Sequence, residues 1–296
     1  MYKRILIPLD GSSLAEQALP YALTFAKKGY SELVLIQVHE PILSGRAAAM
    51  MAERKIRLEA ELYLNQIARR IQANNIQVKS TIVVGAAPGE ILRFAEKQQI
   101  NLIAMSKRGQ SGVTRWLIGG VAERVLRRAR MPVLIVPAVD EQALKLHGAV
   151  YRRILVPLDG SPLAEGALSH GIALAGCFQA ELVLVYVGRS SPDVENGAAE
   201  VQRNLQGSVN ADYLTDLVQG AENKGIRTRA VRLTGRPERE IVRYSESNQV
   251  DLIVMSTHGM ANKPSLLLGS VAGRVTRGAN IPLLLIRGPK NSKGMD

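Results

Sequence analysis

Two aspartates, Asp10 and Asp159, each end a short apolar segment and precede a Gly-Ser pair. A carboxylate at the end of a buried strand can accept hydrogen bonds from the hydroxyl groups of a sugar. It can also cap the helix that follows. Ser161 fits the cap better, because it stands before Pro162 and proline is favoured at the first helical position. Ser12 holds the same place after Asp10. We therefore favour a ligand-binding role for both aspartates.

Paired glycines have the spacing of an anion-binding turn. Nine residues separate Gly109 from Gly119, and nine separate Gly259 from Gly269. The second glycine of each pair precedes a helix-prone segment, whose first N–H groups would be unpaired and partly positive. Glycine also lets backbone N–H groups approach an anion with no Cβ in the way. The pattern predicts a phosphate site, although glycines that only serve tight turns would have the same spacing.

Two side chains near the later glycines suit a phosphate. The Ser270 hydroxyl could contact a phosphate or a magnesium ion, and His258 fits either a phosphate contact or a packing role in its turn. The chain has neither the G-K-[ST] of a P-loop nor the G-x-G-x-x-G of a dinucleotide site. Its four histidines lack zinc-binding spacing. We assign no catalytic residue and no metal-binding residue.

The chain contains an internal duplication. The segments ILIPLDGSSLAEQAL, from residue 5, and ILVPLDGSPLAEGAL, from residue 154, differ at only three positions. Later glycines keep an offset of about 150 residues, so a whole domain is duplicated rather than a short solenoid repeat. We predict a first domain over 1–139, a linker over 140–150, a second domain over 151–288 and a C-terminal tail over 289–296.

Each copy alternates short apolar segments with helix-prone segments. Nearly continuous apolar strands are typical of parallel sheets covered on both faces. The sequence therefore predicts an α/β fold of two tandem doubly wound domains, each a five-stranded parallel sheet with helices on both faces. One helix is expected after each first strand, a long helix over 44–73, and a looser loop within 188–212. In such domains ligands bind beyond the carboxyl ends of the strands.

Composition limits the classes of partner. The net charge of +12 could attract nucleic acid, an anionic membrane or small anions. Aromatic residues make up only 4%, which leaves few stacking platforms, and the basic residues are dispersed. No apolar run reaches the roughly 18 residues of a membrane span. The single cysteine, Cys177, fits a reducing compartment. We expect a cytoplasmic protein with no membrane association and no specific nucleic-acid partner.

Taken together, these residues resemble the universal stress protein family in its tandem two-domain form. Nucleotide-binding members of that family carry G-x2-G-x9-G-[S/T] after the fourth strand. The later copy reads Ser256-Thr-His-Gly259, nine residues, then Gly269-Ser270. Only its leading glycine departs from the family pattern, and the SxHG form resembles a common variant.

The earlier copy departs further from the family pattern. It reads Ser106-Lys-Arg-Gly109, nine residues, then Gly119-Gly120. The usual histidine is therefore an arginine, and the terminal Ser/Thr is a glycine. The adjacent Lys and Arg could offset the lost hydroxyl with charge. The later copy keeps the pattern better.

The resemblance implies an adenine-nucleotide site in each copy. The aspartate after the first strand would bind ribose, the end of the second strand would meet adenine, and the glycine after the third strand would shape the adenine pocket. The glycine motif after the fourth strand would hold phosphate. The implied positions are Asp159, Val187, Gly235, Ser256, His258, Gly259, Gly269, Ser270 and Val271 in the later copy, and Asp10, Val38, Gly85, Ser106, Gly109, Gly119 and Gly120 in the earlier one.

The family's ligand is ATP, with AMP, ADP or cyclic AMP in some members, and magnesium could accompany it. We therefore expect an ATP-binding regulator of a stress response. Duplicated domains often mimic a homodimer, so we expect the two copies to pack as a pseudo-twofold pair. The resemblance implies that their last strands make the contact, and we expect two chains to form a homodimer. Three alternatives stay open: a slow ATPase or phosphotransferase, an interaction module that needs no nucleotide, and nucleic-acid binding by charge alone.

Overall fold

The computed structural model describes residues 2–41, 46–109, 118–137, 149–188, 211–259 and 268–287. The chain divides into two compact units, Met1–Val150 and Tyr151–Asp296. Most of the predicted linker and all but the outer edge of the predicted loop within 188–212 lie outside the described residues, as does the predicted tail. The domain bounds given above therefore stay predictions.

The first unit is built on five parallel strands in the order β3-β2-β1-β4-β5. Its strands are β1 (Arg4–Pro8), β2 (Glu32–His39), β3 (Val78–Val84), β4 (Leu102–Ser106) and β5 (Val133–Val136). Its helices are α1 (Ser13–Glu16), α2 (Ala18–Gly29), α3 (Arg46–Gln72), α4 (Ala87–Lys97) and α5 (Gly120–Arg128).

The second unit repeats the arrangement in the order β8-β7-β6-β9-β10, again with every pair parallel. Its strands are β6 (Arg153–Leu158), β7 (Glu181–Gly188), β8 (Thr228–Thr234), β9 (Leu252–Ser256) and β10 (Leu283–Ile286). Its described helices are α6 (Pro162–Phe178), α7 (Ala211–Glu222), α8 (Pro237–Ser247) and α9 (Ser270–Gly278).

The central strands form the core of each unit. All five residues of β4 and of β9 are buried, as are the middle residues of β1 and β6. Buried strands need helices on both faces, which is why their sequences are continuously apolar rather than alternating. The predicted fold class is confirmed: each unit is a five-stranded parallel sheet with helices.

The first helical segment differs between the units. A single helix was expected after β1, but α1 ends at Glu16 and α2 begins at Ala18, whereas α6 is continuous. Pro20 explains the break. Its ring nitrogen cannot donate to the carbonyl of Glu16, and the ring crowds that carbonyl. The equivalent residue in α6 is Ser169, which allows a regular helix.

The long helix was expected over 44–73, and α3 runs from Arg46 to Gln72. Among the helices that the structure describes, none combines the length and hydropathy needed to cross a membrane.

Candidate functional site

The order of strands creates a switch point in each sheet. The chain leaves β1 toward β2 on one side, and β4 pairs with β1 on the other, so the connections diverge between β1 and β4. The same holds between β6 and β9. Crevices at such points accept ligands because the loops on either side turn away from each other. Both aspartates and both first glycines follow these strands.

Each site aspartate packs directly against the glycine that follows the fourth strand. A Cβ on Gly109 would overlap Oδ2 of Asp10, and a Cβ on Gly259 would overlap Oδ2 of Asp159. Only glycine therefore fits beside the carboxylate. The structure brings these two predicted site residues together in both units, although they are about 100 positions apart in the chain.

The aspartates also hold the start of the next helix. Oδ1 of Asp159 accepts hydrogen bonds from the Ser161 backbone N–H, at 3.0 Å, and from its hydroxyl, at 2.6 Å. The Ser161 hydroxyl oxygen in turn accepts from the Ala164 N–H at 3.2 Å, which makes this serine the N-cap. Asp10 and Ser12 repeat the arrangement. The predicted caps are confirmed, and the carboxylates support them from behind.

The second glycine of each pair is the N-cap of a nine-residue helix. Gly119 precedes α5 and Gly269 precedes α9, and neither offers a side-chain acceptor to the first turn. The Gly119 N–H donates to the Lys107 carbonyl at 2.9 Å, and the Gly269 N–H donates to the Thr257 carbonyl at 2.8 Å. These bonds bring each helix start back to the end of the fourth strand. The arrangement suits an anion, because N-terminal N–H groups are donors near a positive helix end.

The two turns after the fourth strand are built differently. In the second unit the Ser256 hydroxyl donates to the His258 carbonyl at 2.5 Å, and Thr257 Oγ1 lies 3.0 Å from His258 Nδ1. One imidazole nitrogen therefore serves the turn itself. In the first unit the Ser106 hydroxyl oxygen accepts from the Arg108 N–H at 3.2 Å.

The first unit also places cations at this turn. Lys107 is 5% exposed. Arg108 is half-buried, and among the described residues its buried Nε has no hydrogen-bond partner. Arg124, one turn into α5, donates from Nε to the Gly120 carbonyl at 3.1 Å. In the second unit the equivalent positions hold a threonine, a histidine and Arg274.

The positions predicted to meet adenine lie at the ends of the second and third strands. Val38 pairs in register with Val83, and Val187 pairs with Leu233; both predicted valines are half-buried. The nearby glycine of the first unit, Gly85, donates its N–H to the carbonyl of the last residue of β2 at 2.8 Å.

Gly85 and Gly235 are glycines for a conformational reason. Their φ angles are 150° and 144°, values that other residues rarely adopt. A Cβ at Gly85 would also lie only 2.7 Å from Oε1 of Glu90, and one at Gly235 would lie 3.0 Å from Cγ of Glu240. The predicted adenine-side glycines thus hold a tight turn between the third strand and the next helix.

Each unit has a tyrosine near its candidate site that the sequence analysis did not predict. Tyr213 on α7 donates its hydroxyl to Oε1 of Glu165 at 3.1 Å. Burial raises the pKa of Tyr213, and the negative charges of Glu165 and Asp159 raise it further. The pKa of Tyr63 on α3 is raised in the same way, by burial and then by the equivalent glutamate and aspartate. The one sequence signal was the offset of 150 residues between the tyrosines.

The remaining predicted positions lie at the start of α9. Ser270 is its first residue and exposed, and Val271 follows, half-buried. Gly120 is the exposed first residue of α5.

Among the described residues, no group of three or more His, Cys, Asp or Glu side chains could hold a metal ion. A cavity of about 880 Å³ lies at the opposite edge of the second unit's sheet, lined by residues such as Arg152, Lys224 and Arg227. The site is therefore defined by the chemistry of the strand ends and not by that cavity.

Comparison with known proteins gives consistent matches. The sequence model of the universal stress protein family matches residues 1–137 and 150–287. Universal stress protein Slr1230 of Synechocystis sp. is 25% identical over 311 residues, which covers 96% of this chain and 100% of the relative. Universal stress protein MJ0531 of Methanocaldococcus jannaschii is 36% identical over 144 residues, covering 48% of this chain and 85% of the relative.

A solved structure matches the fold over both units. The crystal structure of a universal stress protein from Archaeoglobus fulgidus superposes with a TM-score of 0.72 at 23% identity, covering 98% of this chain and 97% of that one.

Proposed function

The chain belongs to the universal stress protein family, and from that premise we propose that each unit binds an adenine nucleotide at the carboxyl edge of its sheet. The ligand we propose is ATP, with AMP or ADP as smaller members of the same class. The role we propose for binding is regulatory, within a cytoplasmic stress response. Pairing of the two copies and of two chains stays a prediction.

One observation carries the proposal. In both units the carboxylate that follows the first strand packs on the glycine that follows the fourth strand, as Asp159 does on Gly259. In each unit the N-cap glycine of the following helix donates to the carbonyl two residues before the glycine that follows the fourth strand, as Gly269 does to Thr257, and so returns to the same turn. The acid that we propose for the sugar and the helix start that we propose for the phosphate are therefore neighbours in both units.

The order of groups along the sheet edge also supports a nucleotide. Because the strands run β3-β2-β1-β4, the edge presents first the ends of β2 and β3, then Asp10, then the turn that leads to α5. The ends of β2 and β4 are two strand spacings apart, or about 10 Å. Base, ribose and phosphate follow one another in a nucleotide in the same order and over a comparable length.

The proposal includes no catalytic step. Oδ1 of Asp159 accepts two hydrogen bonds from Ser161 and supports a helix cap, which is a structural duty rather than that of a free general base. Hydrolysis would also need a group to position water, and no described residue has been assigned that role.

Asparagine substitutions test the sugar-binding part of the proposal. In Asp159→Asn the side-chain oxygen can keep the hydrogen bonds from Ser161, while the NH2 group replaces Oδ2 and cannot accept from a hydroxyl. We expect Asp10→Asn with Asp159→Asn to weaken ATP binding about tenfold or more, the effect of losing one charge-assisted hydrogen bond per site. Isothermal titration calorimetry on the full chain measures this.

Asp216→Asn is the matched control, because Asp216 is exposed on α7. It should bind ATP as the unchanged chain does. If titration of the unchanged chain with ATP gave no heat of binding, nucleotide binding itself would be contradicted. Unchanged affinity in the double variant would contradict the assignment of the two aspartates. Mass spectrometry of small molecules released from the denatured protein would identify the nucleotide.

A further inference from the structure

The two candidate phosphate sites share a backbone but differ in charge. Where the first unit has Lys107 and Arg108, the second has Thr257 and His258. The first residue of the following helix also changes, from Gly120 in α5 to Ser270 in α9. The first unit therefore has two basic residues in the turn and no hydroxyl at its helix start. The second unit lacks those two basic residues and has a hydroxyl at its helix start.

A second arginine sharpens the contrast. In the second unit Arg274 donates from Nη1 to Oε1 of Glu238 at 2.7 Å, which draws its guanidinium toward α8. In the first unit the residue equivalent to Glu238 is Pro88, which has no charge and is buried. Within the described part of the chain, no carboxylate pairs with Arg124. Its guanidinium lies instead against the first turn of α5, with Nη2 3.3 Å from where a Cβ on Gly120 would be.

The acids nearest Arg124 have other contacts in the described part of the chain. Glu123, in the first turn of α5, is paired with Arg127 at 2.6 Å. Asp10 has its Oδ2 against Gly109, and its Oδ1 accepts from Ser12. The buried Nε of Arg108 has no hydrogen-bond partner among the described residues. A buried donor without an acceptor is costly, and an anion would satisfy it.

We infer that the first unit seats a nucleotide polyphosphate with Arg108 and Arg124 and needs no divalent cation, whereas the second unit depends on one. This inference rests on the proposed function, since it concerns the same two sites. Magnesium binds phosphates with few protein ligands and favours oxygen donors. Ser270 supplies such an oxygen at the helix start of the second unit, and Gly120 supplies none.

The experiment isolates each site in the full chain. Gly269→Val fills the phosphate seat of the second unit and leaves the first unit as the binding site. Gly119→Val does the reverse. ATP affinity is measured by calorimetry with excess Mg²⁺ and again with EDTA, and circular dichroism confirms that each variant is folded.

We expect the chain with Gly269→Val to bind ATP with affinities that differ less than about threefold between the two conditions. The chain with Gly119→Val should lose about tenfold in EDTA, which corresponds to one lost charge interaction. Binding by the first unit should also weaken more steeply as salt rises, because salt screens exposed cations.

Arginine removal tests the cations directly. In the background of Gly269→Val, Arg124→Gln should weaken ATP in EDTA about tenfold and leave adenosine, which has no phosphate, unchanged. Arg128→Gln removes an equal charge from the far end of the same helix and is the control. Ser270→Ala gives a second route if Gly269→Val is unfolded: it should abolish the Mg²⁺ dependence of the second unit while the first unit binds as before.

The outcomes separate this inference from the proposed function. Failure of both units to bind ATP in any condition contradicts the proposed function and the inference together. Binding by both units with equal Mg²⁺ dependence, or binding by the second unit only, contradicts the inference and leaves nucleotide binding intact.

Discussion

Asp159 occupies the space that any side chain at Gly259 would need, and Asp10 stands in the same relation to Gly109. The first glycine of each motif is therefore required by a protein carboxylate, before any ligand is considered. Its role is to let the acid lie at the switch point, beside the turn that leads to the next helix.

Gly259→Ala should consequently damage both stability and the site. The methyl group must displace the Asp159 carboxylate, and overpacking of this kind costs about 1–3 kcal/mol. We expect a lower free energy of unfolding in urea and weaker ATP binding by the second unit. Gly166→Ala is the matched control, because Gly166 lies in α6 with open space around it; it should be stabilising by about 0.5–1 kcal/mol. Equal stability of Gly259→Ala and the unchanged chain would contradict the steric argument.

The N-cap glycines should differ in their tolerance of alanine. A Cβ on Gly269 would lie 2.8 Å from the Thr257 carbonyl oxygen, whereas one on Gly119 would lie 3.5 Å from the Lys107 oxygen, an ordinary contact. Backbone cannot rotate away as a side chain can. We expect Gly269→Ala to cost about 1–3 kcal/mol and Gly119→Ala less than about 1 kcal/mol. Thermal denaturation of the two variants measures the difference, and similar losses would show that the two turns are equally tight.

Two glycines on either side of β8 distinguish the cost of backbone strain from the cost of a steric clash. Gly235 has φ 144° and a Cβ there would press on Glu240, whereas Gly225 has φ 73° and nothing near. Gly225→Ala should cost only the left-handed strain, about 1–2 kcal/mol. Gly235→Ala should cost more, because strain and collision act together. Urea unfolding of both variants tests the order, and the reverse order would refute it.

Glu181 makes a testable contribution to stability against pH. Burial would raise the pKa of this carboxylate, but hydrogen bonds and charge from Arg153, followed by those from Arg229, outweigh burial and lower it. A lowered pKa in the folded state means that the stabilisation is complete above the ordinary value near 4.5 and is lost as pH falls below it.

Glu181→Gln should therefore reduce stability at neutral pH and flatten the loss of stability on acidification. The measurement is the free energy of unfolding from pH 7 down to pH 3. Glu222→Gln, at an exposed position at the end of α7, should keep the pH profile of the unchanged chain. If the pH profile of Glu181→Gln ran parallel to that of the unchanged chain, this carboxylate would not contribute to the pH dependence of stability.

The sequence was sufficient for the sheet but not for all of the site. Continuous apolar strands and the 149–150 residue offset dictate two parallel α/β units, and the serine caps follow from local rules. The break at Gln17 was missed because helical spacing of apolar residues continues across it, although Pro20 was visible. Tyr63 and Tyr213 were missed because helices far along the chain reach the site only after the sheet is assembled. The acid-on-glycine packing likewise depends on tertiary approach that no local pattern records.

Pro88 and Glu238 hold equivalent positions in the two units, and both lie outside the residues assigned to the candidate sites. Because α4 has no carboxylate at the position of Pro88, Arg124 lies against the first turn of α5, whereas Arg274 is paired with Glu238. The two halves differ here in side-chain contacts, while the order of their strands is the same. If the inference above holds, one half of the chain would respond to free nucleotide and the other half to its magnesium complex.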